Sequence, residues 1–251
     1  MMRIKKPAIF ILLAFILLAG CQSQSNSSAK TKTLKSQRIL PLEYKGGKLP
    51  VLILLHGYGS NENDLTSLAH RFTPKFLVYA IQAPIQLRTD AYAWYHLQFE
   101  SGHVSKFDTI GSLDAIKLLS NFIADLKDDE SAKSSEVYLF GFSQGGMMSL
   151  EMAIRHPEQV TGVLSVCGML AGDSLTYHAA NPDLCQIPVF SMNGEFDTVV
   201  LPEQSGSIKN ILGKCPDVFI KDYPCKHQIT SDMLRDSDWF LRQLCNHHQS
   251  N

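Results

Sequence analysis

Hydrophobic residues along this chain fall into two alternating patterns. Continuous apolar runs of strand length occupy residues 51–55, 76–81, 136–142, 162–167, 188–192 and 218–223, with a weaker one around 38–42. Several are unbroken β-branched and aliphatic stretches rather than polar–apolar alternations, as a strand covered on both faces requires. Between them the spacing turns helical. Over residues 109–126, Ile110, Leu113, Ile116, Leu119, Phe122, Ile123 and Leu126 predict a helix with one apolar face. Residues 64–72, 146–156, 203–212 and 231–245 are the other helical segments. Strands alternating with helices of this length predict right-handed crossovers and an α/β fold, a mostly parallel central sheet with helices on both faces.

The N-terminus departs from this pattern. Arg3, Lys5 and Lys6 precede an apolar run over residues 8–20, AIFILLAFILLAG. As a helix it spans ~20 Å, short of a hydrocarbon core of ~30 Å. A positive start, a short apolar core and small residues at its end describe a secretory signal peptide over residues 1–20. Leu18-Ala19-Gly20-Cys21 resembles the bacterial lipobox, which implies a lipid on Cys21 and an exported, membrane-anchored lipoprotein. Gln22 follows, where an Asp would mark inner-membrane retention, so the resemblance favours the outer membrane of a Gram-negative cell. Residues 21–36 are polar and read as a flexible tether. Residues 37–251 then form a single domain.

Composition narrows the partners. The 251 residues are 45% hydrophobic and 19% charged, enough for one sizeable core. Removing residues 1–20 takes away three basic residues and no acid, leaving a net charge of −4. With no basic run interleaved with aromatics, nucleic acid is not an expected partner. Beyond Cys21 stand Cys167, Cys185, Cys215, Cys225 and Cys245, an odd number in an oxidising compartment. No C-x-x-C pair or local His/Cys cluster occurs, so no metal site is expected. Cys215 and Cys225 flank a strand ~20 Å long, too far to pair with each other. Cys185 and Cys215 each precede a late strand and could bridge if those strands are neighbours.

In a parallel sheet, functional groups collect at the carboxyl ends of the strands. Four segments place polar residues there. Ser143, in YLFGFSQGGMM, follows a strand and precedes a helix, the context of a nucleophile elbow. The same serine would serve as the N-cap of that helix, and taken alone the two readings stand level. The glycines of LLHGYGS allow a backbone N–H to face the serine, which makes the N–H groups of Tyr58 and Gln144 candidate oxyanion donors. His56 in that loop reads as a prop rather than a base. In MNGEFDTVVLP, Asp197 is the candidate acid and Glu195 its competitor. In YPCKHQI, His227 lies where a base could reach over the sheet. His96, His103 and His178 fall in loops, and His247 and His248 in a polar tail. The chain order Ser143, Asp197, His227 is the order nucleophile, acid, base of the α/β-hydrolases. Four matches, each at a strand end and in that order, favour the catalytic reading of Ser143.

The segments LLHGYGSNENDL, GFSQGGMMSLEMA, NGEFDTVVLP and KHQI are similar to those of the phospholipase/carboxylesterase family of α/β-hydrolases, which includes acyl-protein thioesterases. The resemblance runs from about Pro50 to the last helix. It implies a serine esterase that cleaves carboxylic esters or thioesters through an acyl-enzyme, with no cofactor. Trp94 and Tyr95 resemble the family's aromatic segment near the substrate, which makes them candidate lining residues. The loop 85–106 would then select the substrate, a small-molecule, lipid or glycan ester. Two positions depart from the family: Asn193 stands where His is common, and Lys226 where Gly is common. Two alternatives remain at this level. One is an acetyl or feruloyl esterase acting on polysaccharide with the same triad, the other a non-catalytic binding lipoprotein on the same fold.

Overall fold

A computed structural model of the protein describes residues 33–72, 76–170 and 186–249. All of these lie in one compact unit, Lys32–Asn251. The expected signal peptide, Cys21, residues 22–32 of the tether, Cys185 and His178 lie outside the described residues.

In chain order the strands are β1 (Ser36–Ile39), β2 (Leu49–Leu55), β3 (Leu77–Ile81), β4 (Ile85–Arg88), β5 (Ala91–Ala93), β6 (Leu97–Glu100), β7 (His103–Phe107), β8 (Ala132–Phe142), β9 (Gly162–Val166), β10 (Val189–Gly194) and β11 (Val218–Tyr223). The helices are α1 (Thr66–Phe72), α2 (Thr109–Asp125), α3 (Gln144–Arg155), α4 (Pro202–Leu212) and α5 (Ser231–Gln249). Seven strands form one sheet in the order β1-β3-β2-β8-β9-β10-β11. All neighbours run parallel except β1, which pairs antiparallel with β3 at the edge.

The period of two in the inner strands sends alternate residues into two separate cores. Val51, Ile53 and Leu55 of β2 join Ile116 and Leu119 of α2 and Leu150 of α3 on one face. Leu52 and Leu54 join Ala69 of α1 and Phe240 of α5 on the other. Both faces are therefore covered, which is why these strands read as unbroken apolar runs. Edge strand β11 is only partly covered, with Phe219, Lys221 and Asp222 exposed.

Two expectations need correction. The apolar face of α2 holds from Ile116 to Leu126 but fails at its start: Ile110 is 77% and Leu113 40% exposed. Each step of three residues falls about 60° short of a full turn, so a run of such steps rotates off the core. The buried stripe is Ser112, Ala115, Ile116, Leu119 and Ile123. Much of the stretch 85–106, read as a loop, forms two short antiparallel hairpins, β4–β5 and β6–β7. The second turns at Ser101 (φ 51°) and Gly102 (φ 87°), the left-handed pair that a tight hairpin needs. The corrected face of α2 predicts that Leu119→Ala lowers unfolding free energy by about 2–5 kcal/mol. Ile110→Ala should change it by less than about 0.5 kcal/mol in the same urea titration. Equal effects would contradict the assignment.

Candidate active site

Ser143 connects the carboxyl end of β8 to α3 with φ 55° and ψ −117°, a conformation that side chains rarely adopt. The neighbouring glycines make this turn possible. A Cβ on Gly141 would lie 2.0 Å from the Gly145 carbonyl oxygen, and one on Gly145 would lie 1.9 Å from that of Leu55. The Ser143 N–H donates to Val166 O at 2.8 Å and ties the turn to β9. Ser143 does occupy the N-cap position, but its side chain makes no capping bond. Its Oγ lies 2.8 Å from His227 Nε2.

His227 follows β11 and reaches back over the sheet. Its Nδ1 lies 2.7 Å from Asp197 Oδ2. A carboxylate only accepts, so Nδ1 carries the ring proton and Nε2 is left to accept from the serine hydroxyl. The Phe142 ring packs at 5.1 Å from the imidazole. Lys226 is exposed. It is not among the positive-φ residues, so the glycine common at that position is not a backbone requirement here. The glycine this loop does need is Gly194, since a Cβ there would meet Lys226 O at 2.6 Å and Cys225 O at 2.7 Å. The other departure, Asn193, is buried and donates to Asp222 Oδ1 at 3.3 Å.

Asp197 is 4% exposed, whereas its competitor Glu195 is exposed. Burial opposes the Asp197 charge, but His227 and the amides of Val199 and Val200 outweigh it and hold the carboxyl below its ordinary range. Those amides donate to Oδ1 at 2.8 and 3.0 Å, which leaves Oδ2 for the imidazole.

The loop after β2 closes the other side. Gly57 faces the serine, close enough that a Cβ would lie 3.3 Å from Ser143 Cβ. Two main-chain bonds anchor the loop, Gly59 N to Tyr92 O at 2.8 Å and Tyr92 N to Ser60 O at 2.7 Å. His56 acts as a prop: its Nδ1 donates to Gly57 O at 2.8 Å and its Nε2 accepts from Ala83 N at 3.0 Å. Burial lowers its basicity, which preserves this neutral arrangement. Gln144 opens α3, so its N–H has no carbonyl one turn back. Its side chain accepts from Trp94 N at 3.0 Å and donates to Tyr95 O at 2.7 Å.

The lining role expected of Trp94 and Tyr95 does not fit this structure, because both are 0% exposed. Trp94 Nε1 donates to His56 O at 3.0 Å, and the Tyr95 hydroxyl meets Met147 Sδ at 3.4 Å. They brace the site from behind. The aromatic surface near it comes from Phe142 and from Phe99, 45% exposed and in edge contact with Tyr58 at 5.5 Å. Among the surface histidines expected from the sequence, His96 is exposed and His103 half-buried.

Sequence reasoning missed Cys167. It directly follows β9 with φ 51°, and its Sγ lies 3.7 Å from Gln228 O. Burial and the Asp197 charge push its thiol up to about 12. Ligand-type atoms of Cys167, Asp197 and His227 lie within 4.8 Å of one another. The signal available was position alone, the first residue past a central strand. Cys167, Cys225 and Cys245 are thiols. Cys215 is disulfide-bonded, and its partner lies outside the described residues.

Known proteins share this arrangement of fold and sequence. The chain is 25% identical to acyl-protein thioesterase 1 of Gibberella zeae over 229 residues, 84% of this chain and 97% of that protein. The crystal structure of esterase PE8 superposes with a TM-score of 0.69 at 25% identity, covering 85% of this chain and all of that one. Zea mays acyl-protein thioesterase 2 shares the fold, with a TM-score of 0.66 at 17% identity over 84% of this chain and 99% of that one. The family model for phospholipase/carboxylesterase matches residues 44–245. This chain therefore belongs to the phospholipase/carboxylesterase family and is an α/β-hydrolase.

Proposed function

We propose that the protein hydrolyses carboxylic esters or thioesters through an acyl-enzyme on Ser143. The observation that carries this reading is the continuous hydrogen-bonded line from Asp197 through His227 to Ser143, at 2.7 and 2.8 Å, on a strained turn. As Ser143 Oγ attacks the acyl carbon, its proton passes to His227 Nε2. Asp197 holds the resulting imidazolium in place and stabilises its charge. The carbonyl oxygen, now an oxyanion, receives the N–H groups of Tyr58 and Gln144, each contributing about 3 kcal/mol in a site of this kind. Collapse of the tetrahedral adduct expels the alkoxide or thiolate, which takes the proton from His227. A water then repeats the sequence on the acyl-enzyme, returning its proton through the same imidazole and releasing the acid.

Hydrolysis of p-nitrophenyl butyrate by the purified domain tests this. Ser143→Ala should lower kcat by about three orders of magnitude or more, and Asp197→Asn by a comparable factor with KM little changed. A folded Ser143→Ala protein that kept its rate would overturn the assignment.

The N-terminal sequence supports a second part of the proposal: export, removal of residues 1–20 and lipidation of Cys21. A diacylated, N-acylated cysteine would hold the hydrolase at a membrane surface, each buried CH₂ contributing ~0.8 kcal/mol. Expressed in a Gram-negative host, the full chain should sediment with membranes and start at a lipid-modified Cys21 by mass spectrometry. Cys21→Ser should move it to the soluble fraction. A wild-type chain found soluble and unmodified at Cys21 would contradict this reading.

A further inference from the structure

Four non-glycine residues have positive φ among the described residues: Asp90, Ser101, Ser143 and Cys167. Asp90 and Ser101 sit in hairpin turns, where that conformation is the turn's own requirement. Ser143 is explained by the elbow. Cys167 remains. Its thiol is buried in the core, its N–H donates to Met192 O at 2.8 Å, and it takes no part in acyl transfer, yet its left-handed conformation costs about 1–3 kcal/mol.

The side chain lies beside the triad. Sγ of Cys167, a carboxylate oxygen of Asp197 and a ring nitrogen of His227 lie within 4.8 Å of one another. Thiolate, imidazole and carboxylate are the three ligand types that bind Zn²⁺, at ~2.0–2.3 Å. Placed at tetrahedral angles, such ligands sit ~3.3–3.7 Å apart. Closing the trio round a cation thus draws its widest separation in by up to about 1.5 Å, while the Asp197–His227 pair, now hydrogen-bonded at 2.7 Å, opens to admit the ion. Cys167 comes from the end of β9, Asp197 from the loop after β10 and His227 from the loop after β11, so no short-range spacing in the sequence could announce the set.

We propose that Cys167, Asp197 and His227 form a binding site for a borderline or soft divalent cation, Zn²⁺ in particular, which reversibly switches off the hydrolase. The inference rests on the acyl-transfer reading of the same histidine and aspartate. On binding, the Cys167 thiol loses its proton to solvent and forms an S–Zn bond. One thiolate, one carboxylate and a neutral imidazole balance the dication, so the buried site carries no net charge. If the cation takes Nδ1, the ring proton moves to Nε2; if it takes Nε2, that lone pair is used. Either way Ser143 loses its base. Oδ1 of Asp197 keeps the Val199 and Val200 amides throughout, which leaves Oδ2 as the oxygen to be shared.

The test uses Co²⁺ as a spectroscopic probe and Zn²⁺ as the inhibitor. In the Ser143→Ala protein, Co²⁺ should produce a thiolate-to-cobalt charge-transfer band that disappears when Cys167 is also replaced by Ala or Ser. In the protein with Ser143 intact, micromolar Zn²⁺ should inhibit ester hydrolysis, EDTA should restore it, and Mg²⁺ should have no effect, being a hard cation. Cys167→Ala or Cys167→Ser should raise the Zn²⁺ concentration for half-inhibition by about tenfold or more, measured relative to each variant's own rate. Absence of the cobalt band, or an unchanged half-inhibition concentration in both Cys167 variants, would overturn the proposal. Because the band is read without turnover, a protein that binds Co²⁺ through Cys167 but never hydrolyses esters would sink the hydrolase reading and leave the metal site standing.

Discussion

The main-chain contact between α3 and β2 is the constraint on which the rest of the site depends. Gly145 approaches the Leu55 carbonyl so closely that even a methyl group would overlap it at 1.9 Å. Because the helix starts that near the sheet, the chain must reverse within one residue after β8, and Ser143 takes up the strain. The hydroxyl is thereby lifted off the helix end, where it would have been a cap, and presented to His227. The same approach sets Gln144 at the first helical position, its side chain gripping the Trp94–Tyr95 backbone. One close contact between glycine and carbonyl thus orients the proposed nucleophile, one proposed oxyanion donor and the wall behind them.

Around that turn, Asp197 and His227 are each anchored by one atom and turn the other toward the next group in the line. Asp197 spends Oδ1 on two amides and offers Oδ2. His227 has one nitrogen committed to the acid and the other to the serine. His56 is saturated at both nitrogens, which fixes it as scaffold. The distinction between a working and a structural histidine lies in where the second nitrogen points, which composition does not reveal.

How much could be read from the sequence follows from the range of the interactions involved. The inner strands were legible because covering both faces forces unbroken apolar runs, and the triad because its members follow strands in a recognisable order. Asp197 and Glu195 were separated only by burial, a property of the fold rather than of the motif. The first turn of the α2 face, Ile110 and Leu113, was not legible because a period of three drifts, and the hairpins β4–β5 and β6–β7 were not because their three to five residues carry no sustained alternation. Trp94 and Tyr95 are aromatic in the right segment, but their backbone hydrogen bonds to Gln144 turn the rings inward. Cys167 had no local signature at all, since its neighbours Asp197 and His227 arrive from 30 and 60 residues away in the chain.

The account stands on Ser143 being activated by His227. Treatment of the purified protein with a fluorophosphonate, followed by intact mass and peptide mapping, measures this at the atom concerned. One adduct per chain on the peptide containing Ser143, lost in a folded His227→Ala variant, is the result the geometry predicts. A folded wild-type protein that takes up no label, or carries it on another serine, would contradict it.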